Sequence, residues 1–177
     1  MLYEYDRQDL QVTRTPIIQT DVYTRTRIEY NSVAPSNHPE ADVVIAHLFE
    51  PREGRSRRPV IFLHGMGKYT FEPLLPFPRE LAGHGVPSLF LMLPLHFDRA
   101  TPGEEGGRLF MLDDLENSLL NFRQAVVDVR TGLDFMEEEG LAKHGFTLLA
   151  ISFGGMVGTI AMGVDRRIEN AVLCVTG

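Results

Sequence analysis

One serine in the sequence lies where a nucleophile could be held. Ser152 sits within Leu149-Ala150-Ile151-Ser152-Phe153-Gly154-Gly155, where an apolar run that favours a strand meets a stretch that favours a helix. Small residues around such a serine allow the sharp strand-to-helix turn called a nucleophile elbow, which lifts the hydroxyl above the sheet. A serine in that position can attack an acyl carbon, and it needs a base to take its proton.

The base is the missing part of this chemistry. All six histidines precede Ser152 in the chain: His38, His47, His64, His84, His96 and His144. After Ser152 the carboxylates are Asp165 and Glu169, near the end of the helix that should follow the turn. That end faces away from the elbow, so both are expected to be solvated. The sequence therefore contains half of a hydrolytic site.

An earlier histidine could substitute for the missing base. His96 follows a predicted strand on the side of the sheet where the elbow opens, and Asp98 lies two residues further on. A rearranged Ser152, His96 and Asp98 site is one interpretation. In the other, His96 lines a substrate cleft or stabilises its own loop.

Two further kinds of site are weaker alternatives. His47, His64, His96 and Asp98 show no metal-ligand spacing, so we expect no metal. Gly154-Gly155-x-x-Gly158 opens a helix after a strand, as a phosphate loop would, but no Lys-Ser/Thr pair follows it. We therefore expect no nucleotide, and no other cofactor.

The elements that must position these residues alternate between strand and helix. Alternation at this spacing indicates a mostly parallel α/β sheet. We expect residues 1–177 to form one domain, in which residues 1–20 could be an N-terminal arm. The predicted strands are Val22–Val33, at the antiparallel edge, Asp42–Phe49, Val60–Leu63, Ser88–Leu93, Phe146–Ile151 and Ala171–Val175. The predicted helices are Leu74–Ala82, Asp113–Glu138 and Phe153–Met162.

Bulk composition excludes several classes of partner. A net charge of −7 over 177 residues argues against nucleic acid, because no basic face neutralises phosphates. The uncharged stretch Gly145–Val164 divides into a strand and a helix at Ser152, so we expect no membrane span. A single cysteine, Cys174, and an N-terminus without an apolar signal segment suggest a cytoplasmic protein.

Three motifs in this order resemble those of the α/β-hydrolase superfamily, over about Asp42–Thr176. His64-Gly65-Met66-Gly67 follows the third predicted strand, Leu93-Pro94-Leu95-His96 follows the fourth, and the elbow follows the fifth. Ala150 replaces the usual first glycine of G-x-S-x-G, and alanine meets the same need for a small side chain. The long helix with Arg123-Gln124-Ala125-Val126 and Asp128 is similar to the dienelactone-hydrolase-like branch.

The resemblance implies a three-layer α/β/α sandwich and an oxyanion hole. Its donors would be the backbone N–H groups of Phe153 and Met66, with His64 shaping the loop. It also places the acid after a seventh strand and the histidine after an eighth, whereas this chain ends with the sixth. We therefore expect a fold truncated there, whose exposed last strand could pair with a second copy.

Two functions follow from these residues. The first is a serine hydrolase that acts on a small carboxylic ester or related acyl substrate through a Ser152 acyl-enzyme. It would be weak or inactive as this chain, because the acid and histidine are absent. The second is a non-catalytic α/β-hydrolase scaffold that serves as an interaction or dimerisation module.

Overall fold

In the part of the chain that the structure describes, one mixed sheet has seven strands: β1 (Thr13–Gln19), β2 (Tyr23–Asn31), β3 (Val43–Pro51), β4 (Val60–Leu63), β5 (Ser88–Leu91), β6 (Phe146–Ile151) and β7 (Ile168–Cys174). Their order across the sheet is β1-β2-β3-β5-β4-β6-β7. The structure, a computed structural model, describes residues 2–54, 58–67, 70–104, 106–112 and 114–174. The strands β5, β4, β6 and β7 run parallel, while β1, β2 and β3 pair antiparallel and β3 joins β5 antiparallel.

Helices cover the sheet on both faces. They are α1 (Pro76–Gly83), α2 (Leu109–Leu112), α3 (Leu115–Glu138) and α4 (Phe153–Val164). Helix α1 packs on one face, and α3 and α4 pack on the other. Helix α3 begins at an N-cap, where the Asp114 carboxylate accepts the Asn117 N–H at 2.9 Å. Such a cap satisfies one of the donors that a helix N-terminus leaves unpaired.

Strand β4 shows why the apolar runs become central strands. Its side chains alternate between the two layers: Val60 and Phe62 face α1, and Ile61 and Leu63 face α3 and α4. All four residues are buried, which is the environment that a continuous apolar run favours. The chain leaves β4 toward β5 on one side and later returns to β6 on the other, so the strand order reverses at β4. In open α/β sheets, ligands bind at the carboxyl ends of the strands beside such a reversal.

Glycines bring α4 unusually close to the sheet. A Cβ on Gly154 would lie 2.5 Å from the carbonyl oxygen of His64, and one on Gly158 would lie 2.6 Å from Leu148. The two glycines are four residues apart and therefore share one helix face. Helix α4 can sit this close to β4 and β6 because neither position carries a side chain.

A fully buried ion pair ties the loop after β5 to helix α3. Arg99 and Asp128 are both completely buried, with Arg99 Nη2 donating to Asp128 Oδ2 at 2.7 Å. Arg99 also donates to the carbonyl oxygens of Met92, at 2.7 Å, and Ala41, and Ser32 donates to the other carboxylate oxygen at 2.5 Å. The charges are thus removed from water with their hydrogen-bonding capacity largely used, which a buried pair requires.

The expected α/β architecture with a mostly parallel core sheet is confirmed. The prediction that Val22–Val33 forms the edge was wrong, because Thr13–Gln19 pairs outside it as β1. The last strand also begins earlier than predicted, at Ile168. Asp113 and Val175, predicted ends of a helix and a strand, lie outside the described residues. Across the described ranges, no helix combines the length and apolar character needed to cross a bilayer.

Replacing Asp128 should strongly destabilise the fold. Asp128→Asn leaves the Arg99 charge buried without its counter-charge, which typically costs about 3 kcal/mol or more. The matched control is Glu139→Gln, which removes the partner of half-exposed Arg14 and should cost less than about 1 kcal/mol. Urea unfolding of both variants measures the difference, and equal costs would contradict the role assigned to the buried pair.

Two glycines of α4 should respond in opposite directions to alanine. Gly154→Ala forces a methyl group against backbone, which cannot yield, so we expect a loss of about 1–3 kcal/mol. A Cβ on Gly163 meets nothing within 4 Å, so Gly163→Ala should stabilise the protein by up to about 1 kcal/mol through helix propensity. Denaturation midpoints test this, and a neutral Gly154→Ala would show that α4 can move away from β4.

Candidate active site

Ser152 occupies a strained turn between β6 and α4. Its backbone φ is 49° and its ψ is −118°, a conformation that non-glycine residues rarely adopt. Its N–H continues the sheet by donating to the carbonyl oxygen of Cys174 at 2.8 Å, and its carbonyl oxygen accepts the Gly155 N–H at 2.8 Å. The side chain is exposed. Within the described part of the chain, no hydrogen bond from the Ser152 hydroxyl is found. The turn therefore presents a free hydroxyl above the end of the sheet.

The turn after β4 touches the elbow. A Cβ on Gly65 would lie 3.2 Å from the Cβ of Ser152, so the two backbones approach one another directly. Met66 follows, half-buried, and is packed against the core that includes α3 and α4. The structure thus brings together the three residues that the sequence placed at a nucleophile and its oxyanion donors: Ser152, Met66 and Phe153.

His64 is locked in one neutral form beneath this turn. The ring is completely buried, and its Nε2 accepts the Leu93 N–H at 3.0 Å. The proton must then reside on Nδ1, which donates to the carbonyl oxygen of Gly65 at 2.9 Å. Burial holds the pKa of His64 well below its usual value, and the neighbouring His96 lowers that pKa further. His64 therefore connects the turn after β4 to the end of β5 through its two hydrogen bonds.

His96 lies beside the elbow, but Asp98 does not accompany it. The His96 ring stacks on Phe153 with centroids 5.9 Å apart, and its Nδ1 lies 2.8 Å from the carbonyl oxygen of Pro94. That carbonyl occupies the position an orienting carboxylate would take. Asp98 instead forms an ion pair with Arg27 on β2. The structure therefore brings His96 to the site without the proposed acidic partner.

The environment of His96 disfavours its charged form. The residue is completely buried, its Nε2 has no hydrogen-bond partner in the described part of the chain, and burial lowers its pKa to about 4. Leu95 and Phe97 flank it with φ values of 64° and 52°. Three strained non-glycine residues, counted over the described ranges, thus lie in the loops at one end of the sheet: Leu95, Phe97 and Ser152.

Part of the site was not anticipated from the sequence. Phe110 packs edge-to-face on Phe153 with ring centroids 4.8 Å apart, and it is completely buried. The preceding Gly107 lies against the edge of the His96 ring, where a Cβ would come within 1.9 Å of Nε2. The adjacent glycines Gly106 and Gly107 in an otherwise irregular loop are the sequence signal that could have indicated this close approach.

The other candidate ligands lie apart from the elbow. His47 contacts Arg25 on β2, and burial lowers its pKa to about 3. The expectation that Asp165 is solvated was wrong, because it is buried at the far end of α4 and pairs there with Arg130 and Arg167. Glu169 is exposed, as expected, and pairs with Arg58. Among the described residues, no group of three or more histidine, cysteine or acidic side chains is arranged to hold a metal ion.

Comparisons with known proteins identify the fold. No protein-family model matches the chain, and no curated protein does. Solved structures do match. An acetyl xylan esterase from Paenibacillus sp. R4 is 17% identical with a TM-score of 0.68, over 93% of this chain and 53% of its own.

Two further solved structures give the same result. A cold-adapted esterase from an Arctic intertidal metagenomic library is 20% identical with a TM-score of 0.69, over 89% of this chain and 62% of its own. Acetyl xylan esterase 1 from Thermoanaerobacterium sp. is 14% identical with a TM-score of 0.67, over 93% of this chain and 52% of its own. The chain thus spans between half and two thirds of the length of these proteins, and it has the α/β-hydrolase fold.

Proposed function

We propose that this chain carries the nucleophile and oxyanion hole of a serine hydrolase that acts on carboxylic esters. The observation that carries the proposal is Ser152 itself, an exposed serine held at φ 49° in contact with the Gly65 turn. Strain of this kind persists where the surrounding structure imposes it, and it is typical of functional sites. The esterases with the same fold support an ester as the substrate class.

Two backbone N–H groups are the proposed oxyanion donors. Phe153 is the first residue of α4, where the N–H group has no partner within the helix and lies at the positive end of the helix dipole. Met66 supplies the other. His64 holds the Gly65 carbonyl oxygen, and the N–H of the same planar peptide points the opposite way. His64 thereby directs the Met66 N–H away from itself, without contacting the substrate.

The proposed reaction forms and then cleaves an acyl-enzyme. The Ser152 hydroxyl loses its proton to solvent water as its oxygen attacks the ester carbonyl carbon, and the carbonyl oxygen becomes an oxyanion. The oxyanion then collapses, the C–O bond breaks, and the alcohol leaves with a proton taken from solvent. Water attacks the acyl-serine in the same way, the Ser152 oxygen leaves and regains a proton from solvent, and the acid is released. Donors aimed at the oxyanion stabilise both tetrahedral intermediates, and one such donor is typically worth about 3 kcal/mol.

We propose that the activity of this chain is weak, because in the described part of the chain no histidine that is paired with a carboxylate is directed at Ser152. His96 is neutral at pH 7, but its low pKa makes it a poor proton acceptor. Oxyanion stabilisation and substrate binding alone still give a rate above that of water.

The second candidate is a non-catalytic scaffold that associates through β7. That strand lies at the sheet edge, and its side chains are exposed on both faces, with Val172 52% and Leu173 44% exposed. An apolar edge with unpaired backbone groups favours pairing with another chain. A second copy could pair with β7 in this way, which makes a homodimer the proposed form of this alternative.

Removing the hydroxyl separates the two candidates. Ser152→Ala should lower the hydrolysis of a p-nitrophenyl acyl ester well below that of the parent protein, because the acyl-enzyme can no longer form, although the oxyanion donors keep the rate above that in buffer. Equal rates for the parent protein and Ser152→Ala would leave the scaffold as the function.

A second variant tests His96 as the base. His96→Asn keeps a donor for the Pro94 carbonyl oxygen and removes Nε2. A loss as large as that of Ser152→Ala would assign His96 as the base, whereas we expect a smaller effect.

Mild acid should destabilise the protein through its buried histidines. In the unfolded chain histidines titrate near pH 6.5, whereas folded His47, His64 and His96 stay neutral to lower pH. Below pH 6.5 the unfolded state therefore binds more protons, and stability falls as the pH falls toward about 4. At pH 5.5 each histidine should cost about 1.4 kcal/mol relative to pH 8. Urea unfolding at several pH values measures this loss. In His96→Asn the free energy of unfolding should fall less steeply as the pH falls, because one buried histidine has been removed.

A further inference from the structure

We propose that residues 106–110, here called the strap, position the Met66 amide and couple it to Phe153, so that both oxyanion donors depend on the strap. The inference rests on the proposed function of Ser152. It assigns a positioning role to glycines that do not contact the substrate. Three contacts carry it: one with the β4 turn, one with His96 and one with α4.

The first contact holds the far side of the β4 turn. Gly67 donates its N–H to the carbonyl oxygen of Gly106 at 2.9 Å. The two backbones pack so closely that a Cβ on Gly106 would lie 3.3 Å from the Gly67 Cα. Both residues have positive φ, 79° at Gly67 and 70° at Gly106, which glycine adopts without strain. Glycine suits both positions because of their positive φ, and at Gly106 a side chain would also press on the backbone of Gly67.

The turn is therefore held on both sides of Met66. On the near side, His64 Nδ1 binds the carbonyl oxygen of Gly65 at 2.9 Å. On the far side, Gly106 binds the N–H of Gly67. Each peptide is planar, so fixing one polar atom in the peptide before Met66 and one in the peptide after it fixes the orientation of both. The Met66 N–H belongs to the first of these peptides.

The second and third contacts anchor the strap itself. Gly107 lies on the His96 ring edge, where no side chain fits, and its carbonyl oxygen accepts the Phe110 N–H at 3.0 Å. Phe110 then packs on Phe153 with ring centroids 4.8 Å apart and planes at 76°. The strap thus runs from the turn that carries one proposed donor to the residue that carries the other.

Alanine substitutions along this loop provide a matched test. Gly107→Ala would place its Cβ 1.9 Å from His96 and so lift the strap, while Gly106→Ala makes a milder contact at 3.3 Å. Gly103→Ala is the control, because Gly103 also has positive φ, 84°, and meets nothing within 4 Å. All three carry the cost of alanine at positive φ, and two of them disturb the strap.

Two measurements on the full chain test the proposal. Labelling of Ser152 by an alkyl fluorophosphonate reports the oxyanion hole, and hydrogen exchange of the Gly67 amide reports the strap contact. Relative to Gly103→Ala, we expect Gly107→Ala to lower the maximal labelling rate at least tenfold with an unchanged half-saturating concentration. Gly106→Ala should fall between the two. Protection of the Gly67 amide from exchange should be highest in Gly103→Ala, lower in Gly106→Ala and lowest in Gly107→Ala.

Equal labelling rates for Gly107→Ala, Gly106→Ala and Gly103→Ala would overturn the proposal, as would an unprotected Gly67 amide in the parent protein. If Gly107→Ala does not fold, Gly106→Ala decides alone. Failure of the proposed function has a different signature, since the parent protein would then label as slowly as Ser152→Ala. Loss of Gly67 protection in Gly107→Ala would still establish that the strap holds the turn.

Discussion

The close approach of helix α4 to the end of strand β4 is the constraint on which the site depends. The backbone at Gly154 rests almost directly on the carbonyl oxygen of His64. With the helix fixed there, the chain must turn abruptly between β6 and α4, and Ser152 takes the strained conformation that the turn requires. The same approach brings Gly65 against Ser152. One backbone contact therefore sets the nucleophile and the neighbouring oxyanion turn together.

Much of this arrangement could be predicted from the sequence, because it depends on local patterns. Continuous apolar runs indicated β4, β5 and β6, and small residues around Ser152 indicated the elbow. Strand β1 was missed because every residue of Thr13–Gln19 is exposed, so no alternation of apolar and polar residues marks it. The separation of the His96 and Asp98 side chains could not be predicted from the sequence either. A single turn of 3-10 helix at Phe97–Arg99 carries Asp98 toward Arg27, while His96 remains in the core.

The contacts of the first residues of the chain could not be predicted from the sequence either. Residues 2–7 lie along α3, where Arg123 and Arg130 donate to the carbonyl oxygens of Leu2 and Tyr3 at 3.0 Å and 2.6 Å. Tyr5 donates to Asp134 at 2.5 Å, and burial, followed by this hydrogen bond, raises the Tyr5 pKa above its usual value. These are side-chain contacts over more than a hundred residues. A mixed polar sequence gives no period from which they could be inferred.

The buried Arg99 has a consequence for the order in which the chain folds. A guanidinium group leaves water at an acceptable cost only when its acceptors are already in place. Its partners belong to three separate parts of the chain: Ala41 before β3, Met92 after β5, and Asp128 in the middle of α3. We therefore expect the loop that carries Arg99 and His96 to dock only after β3, β5 and α3 have assembled. On this expectation, the end of the sheet where the elbow opens is completed after the layers beneath it.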